Sequence, residues 1–186
     1  MHTKVLKFLY CATLLTTTAL CASARDTNRF EVSGIALGAS VDAIHERNSS
    51  VRFNLMYSGS FKDYHKFERP YKKWNQFMVL ASTEELGRQV YVIQAIRTFP
   101  SDPDWDQIMK DLYDRYGNPK YKHTVFGSEP VMNYIWERDS DKLVVQVYRQ
   151  ARKLWFELED TKLKKAVFAR YERSKRGKSI SRTYYE

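Results

Sequence analysis

The chain has 186 residues and a formal net charge of +9; it is 43% hydrophobic, 15% aromatic and 28% charged, with 7 Gly and 5 Pro. That aromatic content excludes a chain that is disordered over most of its length, and the low Gly and Pro exclude collagen-like and low-complexity classes. A mean hydropathy of -0.58 excludes a polytopic membrane protein.

Residues 1–24 read as a secretory signal peptide. Lys4 and Lys7 form a positive start, Phe8 to Leu20 an apolar stretch, and Ala22-Ser23-Ala24 a small-residue cleavage site before Arg25. The stretch is shorter than the ~20 apolar residues a membrane helix needs, so no transmembrane helix is expected in the mature chain. Both cysteines, Cys11 and Cys21, lie in the leader. The mature chain then has no disulfide, no thiol nucleophile and no thiolate for a metal. Leu20 stands where a lipoprotein signal needs a small residue. The expected product is a soluble secreted protein, placed in the periplasm and held together by its core alone.

Phe30, Val32 and Ile35 suggest a short strand. Ser40 is suited to cap a helix that carries Val41, Ala43 and Ile44 to about Arg47. Val51, Phe53 and Leu55 alternate with polar neighbours, as in a strand. Residues 61–74 are aromatic and charged with no clean period, and they predict no element. Strands over 77–81 and 89–99 flank a loop ending in Gly87, a hairpin signal. A helix is expected over 103–116. Asp102 is its cap, Pro103 its first residue, and Trp105, Ile108, Met109, Leu112 and Tyr116 form its apolar face. Gly117 and Asn118-Pro119 stop it. Strands follow at 121–126, 131–137, 143–149 and 154–160, then a basic helix over 161–174 and a disordered basic tail over 175–186.

The expected fold class is α+β: an antiparallel sheet with helices packed on one face, in a domain spanning 25–160. Each of 40–99 and 102–160 opens with a capped helix and continues in strands, so two tandem units are one reading of the order. Such units leave one sheet face to solvent.

Lys162, Lys164, Lys165, Arg170, Arg173, Lys175, Arg176, Lys178 and Arg182 are opposed after residue 160 only by Glu172 and Glu186. With the leader's Lys4 and Lys7, this segment accounts for the net charge. A localised cationic segment attracts anionic partners and screens with salt. In a cell envelope those are lipid headgroups, polysaccharide or acidic proteins; no nucleic-acid motif is present, and no nucleic-acid partner is expected.

The segment Gly34-Ile35-Ala36-Leu37-Gly38-Ala39-Ser40-Val41-Asp42-Ala43-Ile44 resembles the Leu-Gly-x-Ser/Thr-x-x-x-hydrophobic helix opening of small secreted envelope proteins. These include the small lipoprotein of the outer-membrane β-barrel assembly machinery and the tandem-repeat β-lactamase inhibitor proteins. Tyr116-Gly117-Asn118-Pro119, followed by Tyr134-Ile135-Trp136, is similar to the later part of that pattern. The resemblance implies a fold that binds proteins and performs no chemistry. The chain departs from the lipoprotein in lacking a convincing acylation site, which puts membrane anchoring in doubt.

No nucleophile elbow, P-loop, dinucleotide fingerprint or zincin motif occurs. His45, His65 and His123 are the histidines after the leader. Asp63, His65 and Glu68 lack paired metal-ligand spacing, and no metal or cofactor is expected. The four tryptophans, Trp74, Trp105, Trp136 and Trp155, are assigned to the core. Tyr57, Tyr64, Tyr71 and Tyr134 are the candidates for an exposed binding face, since Tyr adds contact area at low entropic cost. Lys162, Lys165, Arg173, Lys175 and Arg176 are the candidates for contact with an anionic surface. The expectation is therefore a non-catalytic secreted protein that binds another protein. Its rivals are a basic module for anionic lipid or polysaccharide, and a hydrolase using His65 or His123.

Overall fold

A computed structural model describes residues 29–49, 52–58, 62–68, 70–84 and 87–182. The leader, its cleavage site and residues 183–186 of the expected tail lie outside the described residues. Among the described residues no helix is long and apolar enough to cross a membrane.

The elements run β1 (Glu31–Val32), β2 (Ile35–Ala36), α1 (Val41–Arg47), β3 (Phe53–Ser58), β4 (Lys62–Phe67), β5 (Gln76–Ser82), β6 (Val90–Thr98), α2 (Trp105–Tyr116), β7 (Tyr121–Val125), β8 (Val131–Arg138), β9 (Asp141–Tyr148), β10 (Lys153–Asp160) and α3 (Thr161–Arg182). β1 and β2 form a small antiparallel pair, and the other strands form one sheet in the order β3-β4-β5-β6-β10-β9-β8-β7. Every neighbouring pair is antiparallel. Two four-strand meanders, each preceded by a helix, thus meet along β6 and β10, where Ile96 faces Trp155 and Ile93 faces Leu158.

Strand alternation sorts the side chains. One face carries Phe53, Phe67, Phe77, Val79, Ile93, Ala95, Leu158, Phe156, Val145, Leu143, Tyr134 and Trp136, all buried in one cluster with Val41 and Ile44 of α1 and Trp105, Met109, Leu112 and Tyr116 of α2. α1 reaches it through the ring of His45 on Phe53, and α2 through Tyr116 on Trp136 and Tyr113 on Tyr134. α3 belongs to the other face: its Val167 packs with Tyr91 and Val92, beside Leu80 and Leu163.

Local chemistry explains the helix ends. The Ser40 hydroxyl accepts from the Asp42 N–H at 3.2 Å, as a cap should. At α2 the cap is Asp104, whose carboxylate accepts from the Gln107 N–H at 3.0 Å. The expected cap, Asp102, instead accepts from the Trp105 indole at 3.1 Å. Gly117, at φ +78, closes α2 and gives its carbonyl to the Trp136 indole at 2.8 Å. The helix expected over 161–174 runs on to Arg182. Gly177 lies inside it; an interior Gly costs only about 1 kcal/mol relative to Ala.

Arg29 ties the start of the described chain to its end. Its guanidinium donates to Asp141 at 2.6 Å and to Asp160 at 2.6 Å. The second Asp160 oxygen accepts from the Leu163 N–H at 2.8 Å and so caps α3. Burial lowers the Arg29 pKa, but the hydrogen bonds to the two carboxylates outweigh it and raise the value overall.

Candidate functional site

The sheet face opposite α1 and α2 is the candidate site. α3 covers part of it at the start of β6, through Val167 and Leu163. Across the remaining strands the register aligns Ile96, Trp155, Gln146, Asn133 and His123 in one row, and Met78, Gln94, Glu157, Val144, Ile135 and Tyr121 in the next. Met78, Ile96, Trp155, Val144, Ile135 and Tyr148 are half-buried. They are apolar or aromatic groups on a surface rather than in a core.

Polar side chains between them are tied to one another. The Gln146 amide donates to Asn133 at 2.9 Å and accepts from the Tyr148 hydroxyl at 2.7 Å. The Gln94 amide donates to Glu157 at 2.7 Å. The Lys153 ammonium sits 4.1 Å from the centre of the Tyr148 ring, a cation–π contact. Satisfied groups of this kind hold their rotamers, so the face is preorganised and loses little entropy on binding.

The sequence candidates are not gathered here. Tyr64 is half-buried on this face, opposite Leu80, with its hydroxyl against the Met78 sulfur; burial raises its pKa. Tyr57 is the register partner of Tyr64, and its side chain lies outside the described residues. The expectation of exposure fails for the other two. Tyr134 is 2% exposed because its strand parity turns it under α2, where it stacks on Trp136. Tyr71 is 7% exposed and stacks on Phe67 at 4.1 Å, its hydroxyl donating to Asn48 at 3.1 Å. Trp74, Trp105 and Trp136 are buried as expected, whereas Trp155 stands half-buried on the candidate face. Its place was readable only from the strand parity of 154–160, where Leu154, Phe156 and Leu158 claim the core side.

Lys162, Lys165 and Arg173 are exposed on α3. At helical spacing Lys162, Lys165 and Arg173 fall within about 80° of one another on one exposed side of α3, with Arg170 at its margin and Lys164 on another side. Lys164 is paired with Glu159. Lys175 and Arg176 lie in the helical backbone, and their side chains are outside the described residues.

His65 is 1% exposed on the α-covered face, stacked on Phe53 and 5.8 Å from His45. Neither ring nitrogen has a hydrogen-bond partner among the described residues. Burial, then the neighbouring His45, lower its pKa. Glu68 is not brought to it: Glu68 accepts from Asn54 at 2.7 Å and lies near Arg52. Among the described residues no group of three or more His, Cys, Asp or Glu is placed to hold a metal. His123 stands exposed on β7. No protein-family model, curated protein or solved structure matches the chain.

Proposed function

We propose that this is a secreted, periplasmic, non-catalytic protein that binds another protein across the sheet face opposite α1 and α2, and that its two helix-plus-meander units are tandem repeats. One observation carries the reading: half-buried Trp155, Tyr148, Ile135, Val144, Ile96 and Met78 occupy three neighbouring rows of one sheet face, spaced by the hydrogen-bonded side chains of Gln94, Glu157, Gln146 and Asn133. Binding surfaces combine aromatic anchors with polar groups fixed in this way. The resemblance to secreted inhibitor and assembly proteins supports the same direction, as does the leader pattern. The cationic helix adds long-range attraction for acidic partners.

The test is site-specific photo-crosslinking in the producing cell, with the photoreactive residue at Tyr148 or, as control, at Lys110 on the exposed side of α2. The reading expects one envelope protein crosslinked from Tyr148 and not from Lys110, and lost in Trp155→Ala. Equal products from both positions, or a product that survives Trp155→Ala, would refute it.

A further inference from the structure

We propose that the outer edge of β7 accepts an extended, acidic segment of a partner protein, which pairs with it as an added strand. β7 ends the sheet, and among the described residues no strand lies on its other side. All five of its residues are exposed. Tyr121 and Val125 are each 50% exposed, and Phe126, just beyond, is 83% exposed. An open, apolar, regular edge is a template for strand addition.

The opposite edge of the sheet is built differently. β3 shifts register between Leu55 and Tyr57, and such a bulge twists an edge away from further pairing. β7 keeps an unbroken register with β8 from Tyr121 to Val125. The two edges occupy equivalent places in the two meanders, and only one is left straight.

Charge selects the occupant. β7 carries Lys122 and His123 and no carboxylate. Lys120, just before it, is neutralised by Glu137 at 2.6 Å. Lys122 lies 5.4 Å from the centre of the Tyr134 ring, and among the described residues no carboxylate pairs with it. A second copy laid on the same edge would gather its own Lys122 and His123 there, whereas Asp or Glu opposite Lys122 gains a cross-strand pair. A cavity of about 360 Å³ opens where β7 ends, lined by Val125, Glu129, Tyr148 and Lys153 among others. One Glu129 carboxylate oxygen there is buried with no hydrogen-bond partner among the described residues. The cavity lies inward of β7, against β8, β9 and β10, and is separate from the outer edge. Main-chain bonds to the edge then give affinity, and the charge of Lys122 gives selectivity.

The probe is a display library of random ten-residue peptides selected on the purified protein, with the selected peptides then synthesised. The proposal expects Asp or Glu alternating with β-branched residues, and slowed amide exchange at Tyr121 to Val125 on binding. Lys122→Glu should weaken these peptides about two- to fivefold and favour basic ones. N-methylation of alternate peptide residues should abolish binding to the unaltered protein, a result independent of whether the variant folds. Trp155→Ala should leave peptide binding unchanged, which separates this edge from the sheet-face reading. Peptides without acidic preference, exchange protection elsewhere than β7, or a dimer joined through β7 would each overturn the proposal.

Discussion

Asp141→Ala is the sharpest perturbation of the fold. The Asp141 side chain is 3% exposed, and its carboxylate accepts from Arg29 Nη2 at 2.6 Å and from the Phe30 N–H at 3.1 Å. Truncation leaves the guanidinium with Asp160 alone and the Phe30 N–H without an acceptor. Removing one partner of a buried ion pair costs about 3–5 kcal/mol, and an orphaned buried donor about 1–3 kcal/mol. The first figure must be reduced, because the Arg29 side chain is 24% exposed and keeps its contact with Asp160. The net expectation is about 3 kcal/mol, a large fraction of a typical domain stability. For a chain of this size that lowers Tm by about 6–12 °C. Asp141→Asn, which keeps an acceptor for Phe30, should cost about half as much. Urea denaturation at constant m-value reads the loss, and a cycle with Arg29→Ala should show a coupling of about 1–2 kcal/mol. A loss below about 1 kcal/mol for Asp141→Ala would mean that the triad does not hold the first described segment to the sheet.

Three further expectations follow from the same geometry. His65 has a folded pKa below its unfolded value of about 6.5, so the unfolded state binds the proton more readily. Stability should be full above that pH and fall as the pH drops toward the folded value. His65→Phe should flatten the urea midpoint between pH 7 and 5, and an unchanged slope would count against the buried neutral ring. Gly38 has φ +75, and a Cβ there would lie 3.0 Å from Arg29 Nη1. Gly38→Ala should therefore cost about 1–2 kcal/mol by denaturant melt, since it meets both backbone strain and the Arg29 head group. Tyr134→Ala should cost about 3 kcal/mol and Tyr64→Ala about 1 kcal/mol, because only the first leaves a cavity in the core; equal costs would contradict the assignment of faces.

The order of elements was legible because most strands alternate cleanly and the helices carry caps and stops. β4 was hidden. Its core-facing positions hold Asp63 and His65 beside Phe67, so its period of two is written partly in polar residues. The tyrosines were illegible for another reason. Which face of a strand is covered depends on where a distant helix lands, and Tyr134 is buried by α2, on the other side of β7 in the chain. The extent of α3 was masked by Gly177, which reads as a helix stop although inside a helix it costs only about 1 kcal/mol relative to Ala. The Arg29 triad joins residues more than 110 positions apart, and no local pattern announces it.

The two meanders share element order, strand direction and a helix on the same side, so equivalence between the halves predicts equivalent surfaces. The departures from it are then informative. α3 covers Val92 and Leu80 on the opposite face. The bulge blunts β3 while β7 stays straight and cationic. The Lys153 contact with Tyr148 and the Glu129 oxygen that has no partner among the described residues also belong to the second half. In the first half the outer edge is bulged and part of the opposite face lies under α3. The second presents an edge, a cavity and an ordered polar network side by side, so variants placed there should alter binding before they alter folding.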